Sequence, residues 1–201
     1  MHSDRIPETE ADKIAFQQIL ESNHSVFSIQ SIVIPFGTYG KLTSTELLTM
    51  YLEYIRQSTL GLIQPEKSSD GIIFRLNWTD AAVIKFSPEL FAEDGNSQKT
   101  TLCISGGVLV QPKECYRGQL DFIVESATGG IRATLKLSDY CPLILGSSQP
   151  SAWRRWLYRL TQAYLHKIVT IRFLAMVYRK TTGKRLTKNI VRISVRRGKN
   201  T

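Results

Sequence analysis

The period of the hydrophobic positions changes along the chain, and each change predicts an element. In Ala11–Leu20, the residues Ile14, Ala15 and Ile19, with Phe16 beside them, share one face at helical spacing, which predicts a short amphipathic helix. Val26–Ile34 is β-branched and alternating, so it reads as a strand stopped by Pro35 and Gly37. Thr43 stands three residues before Glu46, the spacing of a capping box. Leu47, Leu48, Tyr51, Leu52, Tyr54 and Ile55 follow at helical spacing, which predicts a helix from about Ser44 to Leu60 that stops at Gly61. Pro65–Gly71 reads as a polar turn.

From Gly71 the period is two. Ile72, Phe74, Leu76 and Trp78 alternate with Ile73, Arg75 and Asn77, and Ala82, Ile84 and Phe86 alternate with Val83 and Lys85. Pro88–Gln98 reads as a loop turning at Asp94-Gly95-Asn96, and Thr101–Val110 as a strand in which Gly106-Gly107 marks a bulge or bend. Gln111–Glu114 is a hairpin turn. Tyr116, Leu120, Phe122 and Val124, then Ile131, Ala133, Leu135 and Leu137 after Gly129-Gly130, form two more alternating strands. Alternation of this kind suits an antiparallel meander with one buried face and one wet face.

After a Gly, Ser and Pro-rich linker (Pro142–Pro150), Ser151 is placed to cap a long helix of about Ala152–Arg179, ended at Gly183. Its apolar stripe runs Trp153, Trp156, Leu157, Leu160, Tyr164, Ile168, Ile171, Ala175 and Tyr178, with Arg154, Arg155, Arg159, His166 and Lys167 mainly outside it. Ile190–Arg196 alternates weakly and reads as a last short strand or a basic tail. One curved sheet and one long helix must each bury an apolar face, so packing the helix across the sheet gives two layers around one core. The predicted class is therefore α+β, a curved antiparallel sheet packed around a long C-terminal helix. Residues 1–9 are expected to form a flexible N-terminus, 10–183 a single domain and 184–201 a basic C-terminal extension.

This order, carried by YRGQLDFIVE, GGIRATLKLS and the helix after Trp153, resembles the helix-grip fold of the START-related superfamily. The resemblance covers roughly residues 26–180 and rests on element order. It implies a cavity between sheet and helix for a lipid, sterol, aromatic or polyketide. No residue motif defines the superfamily, so no functional residue is carried over. Alternation itself turns Phe74, Leu76, Trp78, Tyr116, Leu120, Phe122 and Leu135 inwards, with Trp153, Trp156, Leu160 and Tyr164 facing them. Tyr and Trp suit a ligand cavity because each joins apolar area to a polar tip. The same residues also suit a solid core, and the pattern leaves both readings open.

Charge changes this picture. The 201 residues hold 26 Lys+Arg and 17 Asp+Glu, a net charge of +9. Residues 1–150 carry 12 basic and 17 acidic residues, whereas residues 151–201 carry 14 basic residues and no acidic one. Such asymmetry points to an anionic partner: nucleic acid, an anionic membrane surface or an acidic protein. The expected anion contacts are Arg154, Arg155 and Arg159 on the helix, with Lys184, Arg185, Arg196 and Arg197 beyond it.

Catalytic chemistry leaves little trace. His2, His24 and His166 are far apart, and Cys103, Cys115 and Cys141 lack CxxC spacing, so no metal site is expected. Asp121 and Glu125 alternate with the apolar set and are expected on the wet face. Thr182-Gly183-Lys184 lacks the spacing of a phosphate loop. No cofactor is expected. The reduced thiols, the polar N-terminus and the lack of a spanning apolar run read as a cytoplasmic chain. The leading expectation is non-enzymatic binding of an apolar or amphipathic small ligand. The alternatives are a basic interaction protein that binds nucleic acid or anionic membrane through its C-terminal segment, and a cyclase or hydratase-like enzyme.

Overall fold

In the computed structural model, which describes residues 13–23, 25–36, 42–111, 117–143, 164–186 and 189–200, the capping box predicted at Thr43 is formed. Thr43 Oγ1 accepts from the Glu46 amide at 3.1 Å, and the Thr43 amide donates to Glu46 Oε2 at 2.9 Å. Two otherwise orphaned donors are thereby satisfied, and α1 runs Ser44–Ser58. The other elements are β1 (Lys13–Leu20), β2 (Val26–Pro35), β3 (Ile63–Ser68), β4 (Gly71–Leu76), β5 (Ala82–Phe86), β6 (Leu90–Asp94), β7 (Ser97–Gly106), β8 (Gln119–Ala127), β9 (Gly130–Tyr140), α2 (Tyr164–Thr182), β10 (Asn189–Arg192) and β11 (Lys199–Asn200). Gly183, at φ 70°, ends α2, and its amide donates to Arg179 O.

The strands form one large curved sheet in the order β10-β1-β2-β9-β8-β7-β5-β4-β3, with β11 on β1 and β6 on β7. The architecture is α+β, and both described helices belong to one core with the inner sheet face. The sheet is mixed, not purely antiparallel, because β10 runs parallel to β1. The bulge expected near Gly106-Gly107 is present: Lys85 pairs with Gly106 and Phe86 with Ile104, which leaves Ser105 extra. Gly107 has φ 119°, and a Cβ there would lie 2.5 Å from Val83 O, so only glycine allows this approach.

Several sequence expectations change. The segment predicted as the first helix is strand β1, with six of its eight residues buried. Ile14 faces the main core, while Ala15 and Ile19 join Phe27, Ile29 and Ile193 in a second cluster on the opposite face. Burial on both faces removes the clean period of two and imitates helical spacing. The expected turn at Pro65–Gly71 is mostly β3, at the end of the strand order, where Pro65 costs no ladder bond to a further neighbour. The loop at Pro88–Gln98 is the β6–β7 hairpin, turning at the expected residues. β7 ends at Gly106, and Val110 makes only an isolated bridge to Pro142. Residues 152–163 of the expected long helix lie outside the described residues.

The helices divide the inner face. α1 packs on β3, β7 and β8, and α2 crosses β2 and β1 and touches α1. Tyr51 of α1 meets Phe122 and Phe173 edge-on, with centroids 5.3 and 5.1 Å apart. These rings form an aromatic cluster at the centre of this half of the interior. Burial pushes the Tyr51 phenol well above its ordinary pKa, with Tyr54 adding to the shift, so Tyr51 stays neutral at working pH.

Residues beyond α2 are tied to the sheet. Gln17 reaches across from β1, donating to Arg196 O at 2.6 Å and accepting from the amides of Val195 and Arg196. The Arg196 guanidinium lies 4.2 Å from the Phe27 ring centre and pairs with Glu21 at 3.2 Å.

Candidate functional site

The register of β1, β2 and β9 places an unexpected patch beneath α2. Phe16 pairs with Gln30, Gln18 with Ser28, Gln30 with Leu135, and Ser28 with Leu137. Cross-strand partners share a face, and Leu135 and Leu137 belong to the main core. Gln18, Ser28 and Gln30 therefore stand on the inner face, and all three are buried. Gln30 Nε2 donates to Ser28 Oγ at 2.6 Å. Gln30 is 1% exposed, yet its Oε1 has no hydrogen-bond partner among the described residues. Leaving such a group unpaired costs about 1–3 kcal/mol, so a plain core would favour an apolar side chain.

The buried stripe of α2 is Thr170, Phe173, Leu174, Val177, Tyr178 and Thr181. It is rotated from the sequence expectation, since Ile171 and Ala175 are only half-buried. Continuing the stripe by three residues towards the N-terminus reaches Lys167, which the sequence pattern set mainly outside it. Lys167 Nζ lies 4.5 Å from the centre of the Phe16 ring. Helical spacing over 11–20 hides this site, because a helix sets Gln18 beside Ile14 and gives it no register with 26–31. Reading 13–20 as a strand paired with 26–31 would have set Gln18, Ser28 and Gln30 together.

Of the residues expected to line a cavity, Phe74, Leu120, Phe122 and Leu135 are buried in the main core, and Leu76 is half-buried. Trp78 is a correction. It is 81% exposed, because β4 ends at Leu76 and Trp78 belongs to the turn before β5. Tyr164 opens α2, while Tyr116, Trp153, Trp156 and Leu160 lie outside the described residues.

Of the expected anion contacts, Lys184, Arg185 and Arg197 are exposed, and Arg154, Arg155 and Arg159 lie outside the described residues. Arg196 is a correction, because Glu21 and Phe27 already engage it. Asp121 is another. It is 2% exposed on the outer face, accepts from Thr101 Oγ1 at 2.7 Å and pairs with Lys136 at 3.2 Å. Its neighbours shield this short side chain, so alternation gave its face but not its burial. Glu125 is half-buried and paired with Arg132 at 3.0 Å.

Two surface grooves adjoin α1. One, of about 400 Å³, runs between Met50, Tyr54 and Gln57 of α1 and Met176, Arg179 and Lys180 of α2. The other, of about 710 Å³, lies between Arg56, Leu60, Gln64 and Asn77. Burial pushes the half-buried Tyr54 phenol up in pKa, partly opposed by Arg172. Among the described residues no group of three His, Cys, Asp or Glu could hold a metal, and no helix is long and apolar enough to cross a membrane.

The fold and patch together define a class: an α+β domain whose curved mixed sheet carries buried polar groups beneath a C-terminal helix. A similar solved structure is CalU16 from Micromonospora echinospora, 13% identical, with 84% of each chain covered and a TM-score of 0.35. No family model matches the chain, and no curated protein matches it.

Proposed function

We propose that this protein binds an apolar or amphipathic small ligand, lipid-like in character, between the inner sheet face and the C-terminal helix. The buried patch of Gln18, Ser28 and Gln30 carries this reading. Ligand sites combine apolar walls with a few polar groups that fix orientation. Here the walls are Phe16, Leu135 and Leu137, and the polar groups stand in register among them. Asp121 stands on the opposite face, engaged by Lys136 and Thr101, so it supplies no acid–base chemistry at this patch. Native mass spectrometry of protein purified from its own host is expected to show an added mass that is released on denaturation. N-phenylnaphthylamine is expected to bind saturably at one site, and a Gln30→Trp variant that still melts cooperatively should bind it about tenfold more weakly or worse. Absence of both the added mass and saturable probe binding overturns the reading.

A second reading has its own support. Arg172, Arg179, Lys180, Lys184 and Arg185 are exposed, and none is in an ion pair among the described residues. Such a cluster of basic residues, with Glu53 beside Arg179 and Lys180, suits an anionic lipid headgroup layer, at about 1 kcal/mol per basic residue near the surface. Sedimentation with phosphatidylserine-containing vesicles, but not with phosphatidylcholine alone, is the expected result. It should weaken in salt and in the Lys180→Glu, Lys184→Glu, Arg185→Glu triple variant. Equal sedimentation with both vesicle types removes this reading.

A further inference from the structure

Lys167 is a cation at a core-facing position of a helix. It stands three residues before Thr170 and seven before Leu174, both fully buried. Lys167 itself is half-buried, and its ammonium rests over the ring of Phe16. No carboxylate pairs with it among the described residues. A surface lysine has the freedom to swing its ammonium into water, whereas this one is laid along the inner face next to the polar patch. Phe16, the ring beneath the ammonium, is the register partner of Gln30. A lysine with no carboxylate partner among the described residues and an amide with one unpartnered end are therefore both neighbours of Phe16 on the inner face.

We propose that the ligand is a monoanionic amphipath of the long-chain carboxylic acid class, with its carboxylate held by Lys167 Nζ and the Gln30 amide and its chain along Leu135 and Leu137. The proposal rests on the ligand-binding reading above and names its head group. The Gln30 amide accommodates it by a half-turn of its terminal bond. Ser28 Oγ, which accepts from Nε2 in the present arrangement, then donates to Oε1, and Nε2 directs a donor at the carboxylate. A hydroxyl serves either arrangement, so Ser28 keeps its partner throughout. One ammonium balances one negative charge. A phosphate monoester, with about −1.5 to −2 charges, calls for a second cation or a guanidinium fork.

The test is displacement of N-phenylnaphthylamine by palmitic acid, methyl palmitate and palmityl phosphate. The wild-type protein is expected to prefer the acid to the ester by about tenfold or more, the effect of one charge-assisted contact in a half-buried site. Lys167→Met keeps an apolar side chain over Phe16 and is expected to abolish that preference by weakening the acid alone. Lys167→Arg should retain most of it. Gln30→Met should weaken the acid more than the ester. Equal binding of acid and ester, tighter binding of the phosphate, or an unchanged preference in Lys167→Met overturns the head-group assignment and leaves the ligand-binding reading standing. Failure of all three competitors and of the probe overturns both.

Discussion

Deleting residues 189–201 will destabilise the fold by several kcal/mol, an effect far beyond the loss of exposed charge. The deletion removes β10 from the edge of β1, together with the amide of Ile193, which donates to Phe16 O at 2.9 Å. It also strips Gln17 of its three bonds to the 195–196 backbone. Ile193, 9% exposed, is the lid of the second cluster, so Ala15, Ile19, Phe27 and Ile29 lose their cover. Fully burying one large apolar side chain is worth about 1.5–3 kcal/mol, so losing Ile193 and partly uncovering Phe27 and Ile19 costs on the order of 4–6 kcal/mol. A domain of this size has roughly 5–15 kcal/mol in total. The exposed edge of β1 would also template association between copies. Urea unfolding with light scattering measures both effects. An unchanged midpoint in the truncated chain would show that these contacts add nothing to stability.

Phe173→Ala is expected to be the most damaging single substitution on α2. Phe173 is 0% exposed and touches both Tyr51, at 5.1 Å between centroids, and Tyr54, at 5.6 Å. It joins the C-terminal helix to α1 over the sheet. Phe→Ala in a core costs about 3–5 kcal/mol through lost burial and the cavity left behind. At about 2–4 °C per kcal/mol for a chain of this length, melting should fall by roughly 6–20 °C. Phe173→Leu, which refills most of the volume, should lose less than half as much. Equal melting temperatures for the two variants would contradict the packing account. Ligand binding in Phe173→Leu should stay near wild type, because the aromatic core lies on the α1 side of the patch.

How much of the protein was legible depended on whether each signal was local. The α1 cap needs only Thr43 and Glu46 three residues apart, so spacing alone was enough. The alternation of β4, β5, β8 and β9 was legible because one face is buried and the other is polar or half-exposed. β1 was not, because β2, β10 and the 193–196 segment cover it from both sides and both edges. Trp78 looked like the next inward residue of β4, but alternation cannot say where a ladder ends.

The candidate site was less legible still. Gln18, Ser28 and Gln30 are ordinary polar residues in sequence, and Lys167 is one of 14 cations in an acid-free segment. Pairing of β1 with β2 and the rotation of α2 make them neighbours.

By itself, the sequence determined the α+β class, the first α-helix with its cap, the inward faces of the meander and the segregation of charge. These follow from residues within a few positions of one another. The tertiary structure decided that 13–20 is a strand, that the basic terminus is part of the sheet and that Arg196 is engaged. It also decided that Lys167 and Gln30 face the same interior. Those outcomes depend on contacts between segments more than 100 residues apart, such as Gln17 with Arg196, 179 positions away. Such contacts form only when both strand faces and both strand edges have been assigned, and no local period carries that information.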